Sequence, residues 1–116
     1  MPAMETRFFV SAGEAAIYRA AIGMKGEGVP TGILLRLVAD EAVLAWLRVL
    51  FGVRIPIHIK QSSEIIVPLA AERNYDVILT CENPDAATPL LELQAGHQGQ
   101  PHVKLGMTFA LIEAMP

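Results

Sequence analysis

From Ile33 to Phe51 the chain is apolar except for Arg36, Asp40, Glu41 and Arg48. Four charges within one hydrophobic stretch argue against a membrane span, where each would be costly. The same stretch is too apolar for an ordinary surface helix. Its charges do not gather on one face, because Leu37, Leu44 and Leu47 are interleaved with them. A helix apolar almost all round is buried almost all round. With Thr31 as its cap, it runs from about Thr31 to Phe51 and is roughly 30 Å long at the usual rise per residue. It is expected to be the most buried element, and the rest of the chain must wrap it.

The residues after the helix read as strands. Pro56 cannot donate to a ladder, so the first of them starts just after it. Strict alternation puts Ile57, Ile59, Gln61, Ser63, Ile65 and Val67 on one face and His58, Lys60, Ser62 and Glu64 on the other, outward one. Tyr75, Val77, Leu79 and Cys81 repeat the pattern, as do Leu91, Leu93 and Ala95, and then Val103, Leu105, Met107, Phe109 and Leu111. Pro, Asn and Asp between Glu82 and Pro89 mark a turn, and Gly96 to Pro101 a hairpin loop. Ahead of the long helix, Arg7 to Val10 suits a short strand. Ser11 and Glu14 have capping-box spacing for a helix that runs to Ile22 and stops at Gly23. Its apolar stripe is Ile17, Ala20, Ala21 and Met24. Strands that follow one another through short turns pair antiparallel. The fold class is therefore α+β, one antiparallel sheet wrapped around one long central helix.

The chain has 116 residues, so residues 1–116 form a single domain. At 53% hydrophobic it is too apolar for disorder, and so small an interior predicts that some apolar surface meets another subunit. A net charge of −3 without a basic patch argues against nucleic-acid binding. The lone Cys81 excludes an intrachain disulfide framework and a multi-cysteine zinc site, and it suits a reducing cytoplasm. The N-terminus shows no apolar core of a signal peptide. No metal, cofactor or membrane partner is expected.

That order of elements resembles the hotdog fold. Val29-Pro30-Thr31-Gly32 leads into the long helix, and Ile57-His58-Ile59-Lys60-Gln61-Ser62-Ser63-Glu64 follows it, ending in Val67-Pro68-Leu69. This looks like the MaoC-like group, which includes (R)-specific enoyl-CoA hydratases and 3-hydroxyacyl thioester dehydratases, and in particular their N-terminal-half relatives. The resemblance covers about Phe8 to Glu113. It implies an acyl-thioester ligand, carried on CoA or a carrier protein. It also implies edge-to-edge pairing of sheets, in a homodimer or in a heterodimer with a catalytic hotdog subunit.

Active members of that group carry an Asp-x-Asn-Pro-x-His loop after the first helix, whose Asp and His hold and activate the water. Here the corresponding segment runs Met24-Lys25-Gly26-Glu27-Gly28-Val29-Pro30 and has no Asp, Asn or His. The catalytic pair is not matched. The thioester cradle is: the resemblance places backbone N–H groups of Thr31, Gly32 and Ile33 around a carbonyl, which free amides at a helix start suit. Thr31 as a plain cap and Gly32 as a packing residue is the simpler reading of the same positions.

The remaining polar residues each carry two readings. His58 is a general base or a hydrogen-bond partner of Glu64 or of another subunit. Lys25 and Glu27 stand in for the missing pair or are simply solvated. Arg36 and Asp40, four apart, form a local ion pair or a subunit contact. Asp40 or Glu41 can serve as the carboxylate that hotdog thioesterases use near the central helix. His97 and His102 flank a turn without carboxylate or thiol company and make a poor metal site. Cys81 and Trp46 read as core. Two functions follow: a non-catalytic, acyl-binding subunit of a hydratase or dehydratase complex, or a self-sufficient hydro-lyase or acyl-CoA thioesterase.

Overall fold

The computed structural model describes residues 2–26 and 28–113. Strand β1 (Ala3–Val10) leads into helix α1 (Ala12–Ile22), then a 3₁₀ helix (Thr31–Ala39), helix α2 (Glu41–Phe51) and strands β2 (Ile55–Ile65), β3 (Arg73–Cys81), β4 (Leu90–His97) and β5 (Gln100–Ile112). The five strands form one sheet in the order β1-β3-β4-β5-β2. Every pairing is antiparallel. The expected α+β architecture is present, with the helical segments lying on one face of the sheet.

The inner face of the sheet follows the sequence alternation. Tyr75, Val77, Leu79, Cys81, Leu91, Leu93, Ala95, Val103, Leu105, Met107 and Phe109 are all buried. They pack against Ile33, Leu34 and Leu37 of the 3₁₀ helix and Val43, Leu47 and Phe51 of α2. The β4–β5 hairpin is tighter than expected. Its two turn residues, Gln98 and Gly99, both take positive φ (52° and 77°), which matches the right-handed twist of the flanking strands.

The central helix is not continuous. Asp40 is extended (φ −67°, ψ 137°) and divides it. The Asp40 carboxylate accepts from the N–H groups of Ala42 (3.1 Å) and Val43 (3.3 Å), the two donors that an N-cap satisfies. Nor is the segment buried all round. α2 buries Val43, Leu47 and Phe51 in steps of four, while Glu41, Ala42, Ala45, Arg48 and Val49 face outward. The inner face of the sheet, not this helix, is the most buried part of the fold.

α1 has the caps that its sequence announces. Ser11 Oγ accepts from the Glu14 N–H at 3.0 Å. Gly23 closes the helix in the left-handed region (φ 73°), with bonds from Gly23 N–H to Ala20 O and Met24 N–H to Arg19 O. The reciprocal half of the capping box is replaced. The Glu14 carboxylate pairs instead with Arg36 Nε at 3.1 Å, and the Ala12 N–H donates to Glu72. The helix also docks on a different face from the one expected. Ala15 is buried and Tyr18 half-buried, whereas Ile17, Ala20, Ala21 and Met24 are exposed.

Candidate functional site

The bulge in β2 decides where the candidate histidine points. Pairing with β5 runs Ile57 to Ala110 and His58 to Phe109, then shifts so that Lys60 faces Thr108. The extra residue, Ile59, reverses the alternation. His58 therefore lies on the inner face, with its ring 5.5 Å from that of Phe109, and Lys60, Ser62 and Glu64 lie outward. Its placement on the outward face with those three is corrected accordingly. The strand also begins before Pro56, at Ile55, because β2 is an edge strand with no ladder partner beyond it.

His58 sits on the rim of a groove of about 460 Å³ between α2 and the β2–β5 end of the sheet. Its walls are Val38, Leu44, Leu47, Phe51, Pro56 and Phe109, and Arg48 and Arg54 join His58 at the rim. Phe51 and Phe109 meet with ring centroids 6.3 Å apart at its floor. Arg54 is fixed, donating through Nε to Phe51 O and through its terminal nitrogen to Pro84 O, both at 3.0 Å. Arg48 is exposed and makes no ion pair among the described residues. The result is a largely apolar trough of the size that takes a small organic ligand, with cationic groups at its mouth.

The His58 ring touches the Lys60 carbonyl through Nε2 at 3.1 Å. A carbonyl only accepts, so Nε2 is the donor in this contact. Among the described residues, no carboxylate lines this groove. Asp40 lines a separate depression with Arg7, Phe8, Phe9 and Arg36, and its carboxylate is engaged as the α2 cap. Glu41 is exposed in the first turn of α2. The structure does not bring His58, Asp40 and Glu41 into one pocket.

Arg36 does not pair with Asp40. A 3₁₀ helix has three residues per turn, so residues four apart are not stacked. Arg36 turns the other way, onto Glu14, the Phe9 carbonyl (3.3 Å) and the face of Phe8 (4.3 Å).

Thr31, Gly32 and Ile33 open the 3₁₀ helix. The Ile33 N–H is already spent on Pro30 O at 3.1 Å, so it is not a free donor. The N–H groups of Thr31 and Gly32 precede the first turn's bonds and are the ones a helix start leaves over. Gly32 accepts from the Tyr18 hydroxyl through its carbonyl at 2.9 Å. A Cβ at Gly32 would stand 3.2 Å from that same hydroxyl, so Tyr18 already occupies the space that a side chain there would take. Thr31 opens the 3₁₀ helix and Val38, near its other end, lines the apolar groove, about 14 Å away by the helix rise.

His102 is buried, while His97 is half-buried and contacts the Asn74 carbonyl through Nδ1 at 3.2 Å. With Tyr75 they form a three-ring cluster, with centroids 5.6–6.2 Å apart. Burial, with Arg73 and His97 adding to it, holds the His102 pKa below the ordinary 6.5. No group of three or more His, Cys, Asp or Glu able to hold a metal occurs among the described residues. Cys81 is buried, and burial raises its thiol pKa, as suits an apolar filler. Trp46 is half-buried, Lys25 is exposed, and Glu27 lies outside the described residues.

Sequence reasoning missed the groove because its walls come from segments far apart in the chain.

No protein-family model and no curated protein sequence matches the chain. Solved structures do. A hot-dog-like protein from Thermanaerovibrio acidaminovorans is similar at a TM-score of 0.73 and 11% identity, over 97% of this chain and 82% of that one. A Streptococcus mutans protein bound to acetyl-CoA matches at 0.67 and 10% identity, over 98% and 84%. The Mycobacterium tuberculosis HadBC complex, a 3R-hydroxyacyl-ACP dehydratase, matches at 0.70 and 11% identity, over 92% and 94%. The chain has a hotdog fold. No helix among the described residues is long and apolar enough to cross a membrane.

Proposed function

We propose that the chain binds an acyl thioester, with the acyl group in the groove between α2 and the β2–β5 end of the sheet, and that it works beside a second hotdog subunit rather than as a complete hydratase. The observation that carries this is the groove itself: alkyl and aromatic walls under a rim of Arg48, Arg54 and His58. Such walls favour an acyl chain by burying apolar area, and a cationic rim favours the phosphates of CoA or of a phosphopantetheine carrier. Similar folds solved with acetyl-CoA and as a dehydratase complex support the same ligand class.

Hydration of an enoyl thioester needs a base for the water and an acid for the α-carbon. Among the described residues lining the groove, His58 alone could serve as a base. The segment where the MaoC-like group keeps its Asp and His has neither. Placement within the MaoC-like group, as a non-catalytic or acyl-binding subunit, rests on that reading.

Titration calorimetry with crotonyl-CoA and octanoyl-CoA tests it. Binding is expected, and Leu44→Trp, which fills the groove, is expected to abolish it while the fold is retained. Unchanged binding in that variant refutes the groove assignment. A thioesterase is the second reading, favoured by His58 at the rim of the groove. Acyl-CoA cleavage that is lost in His58→Ala with the fold intact would establish it.

A further inference from the structure

The two arginines of the groove are not equivalent. Arg48 is exposed on α2 and makes no ion pair among the described residues. Arg54 is half-buried and held in place. Its Nε donates to Phe51 O and its Nη2 to Pro84 O, each at 3.0 Å. These bonds set the guanidinium where α2 ends, and a cation suits the last carbonyls of a helix. They use two of the five N–H donors that an arginine carries. The other donors have no partner among the described residues.

The charge is unpaired as well. Asp85 adjoins Pro84 in the chain, but it is exposed and makes no ion pair among the described residues. The ionisable residues described in the groove lining are Arg48, Arg54 and His58, among apolar walls. A guanidinium partly withdrawn from water costs free energy unless an anion faces it. A methyl-ended acyl chain against Arg54 takes more water from it and returns no bond. A carboxylate returns charge-assisted bonds, and a planar fork already fixed by two carbonyls loses little freedom in making them. Position separates a carboxylate from a phosphate here. Arg54 is tied to Phe51, whose ring meets Phe109 at the floor of the trough, on the acyl side. Arg48 stands in solvent, on the side of the thioester's carrier.

We infer that the groove selects acyl thioesters whose far end carries a carboxylate, and that Arg54 is the residue that reads it. The ligand class is the monothioester of a dicarboxylic acid, with the aliphatic middle of the chain on Leu44, Leu47 and Phe51 and the free carboxylate on the Arg54 fork. Arg48 is left to the phosphates of the carrier. This narrows the acyl-binding reading and rests on it.

Titration calorimetry on the full chain, at fixed ionic strength, compares matched pairs: glutaryl-CoA with pentanoyl-CoA, and adipyl-CoA with hexanoyl-CoA. The members of a pair share chain length and phosphates and differ only at the far end. The carboxylate-ended member of each pair is expected to bind about tenfold tighter, the scale of charge-assisted bonds. Arg54→Gln is expected to remove that preference and to leave the methyl-ended thioesters within about twofold of wild type. Arg54→Lys keeps the charge without the fork, so its preference is expected to fall by about threefold. Because Arg54 also ties Phe51 to Pro84, circular dichroism checks each variant, and Arg54→Lys carries the comparison if Arg54→Gln does not fold. Arg48→Gln is expected to weaken both members of a pair equally. Equal affinities within each pair in wild type overturn the inference, as does a preference that is unchanged in a folded Arg54 variant. Equal weakening of both members by Arg54→Gln assigns Arg54 to the phosphates and overturns it too. In all three of these results the methyl-ended thioesters still bind wild type, so the acyl-binding reading stands. If none of the four thioesters binds wild type, that reading fails and this inference falls with it.

Discussion

Replacing Asp40 with alanine separates a capped break from a continuous helix by the sign of the stability change. If residues 31–51 formed one α-helix, Asp40 would sit mid-helix, and alanine, the better helix former, would stabilise the protein by about 0.5 kcal/mol. In the structure Asp40 is extended, and its carboxylate accepts from the Ala42 and Val43 N–H groups at 3.1 and 3.3 Å. Removing an N-cap of this kind costs about 1 kcal/mol, within a range of roughly 0.5–2. The residue is exposed, so no cavity adds to the loss. In a domain of this length, 1 kcal/mol lowers Tm by about 4 °C. Urea unfolding followed by circular dichroism reads the difference directly. Asp40→Asn keeps a capping oxygen and is expected to stay within a few tenths of a kcal/mol of wild type. Asp40→Ala that is neutral or stabilising would refute the break. The asparagine variant also bears on chemistry. It removes the charge but keeps the cap, so acyl-CoA cleavage lost in Asp40→Asn would make Asp40 a working carboxylate, contrary to its role here.

His102 is held neutral in the fold, with its pKa below 6.5. The unfolded chain takes up that proton first, so this contribution to stability is complete above about pH 6.5 and is lost as pH falls towards the lower native value. The loss reaches up to about 1.4 kcal/mol per pH unit for one proton. Urea midpoints at pH 7.5 and 5.5 should diverge less in His102→Leu than in wild type; equal slopes would contradict the assignment. At Gly23 an added Cβ meets nothing within 4 Å, so Gly23→Ala tests backbone strain alone. A loss of about 1 kcal/mol is expected in thermal unfolding, for a φ of 73°. Tyr18→Phe removes the bond to the Gly32 carbonyl and should cost about 1 kcal/mol by the same measurement.

The strands β3, β4 and β5 were legible because their alternation is local: each buried side chain is two residues from the next, and the pleat does the rest. The ends of α1 were legible for the same reason, since Ser11 and Gly23 act within one turn. Three features were not. Asp40 between two apolar runs looks like an interruption in a helix until its side chain is seen to cap the second run. The bulge at Ile59 leaves no mark in the strand itself, because it is defined by the register of β5. The docking face of α1 depends on what it meets: Tyr18 reaches Gly32, and Arg36 draws in Glu14, so the helix turns its expected stripe to the outside. The groove followed from none of these locally. It exists because Phe51 and Phe109, far apart in sequence, meet where α2 crosses the last strand.

The connection between β2 and β3 contains no regular structure, yet its amides are tied to the body of the protein. The His102 carbonyl accepts from both Ile66 N–H (2.7 Å) and Val67 N–H (3.0 Å). The Tyr75 hydroxyl accepts from Ala70 N–H, and Val10 O from Glu72 N–H. The Glu72 side chain in turn receives the Ala12 N–H. In hydrogen exchange this loop should behave as part of the sheet. Ile66, Val67, Ala70 and Glu72 should exchange no faster than neighbouring strand amides, and they should open together with the start of α1, because one set of bonds ties down both.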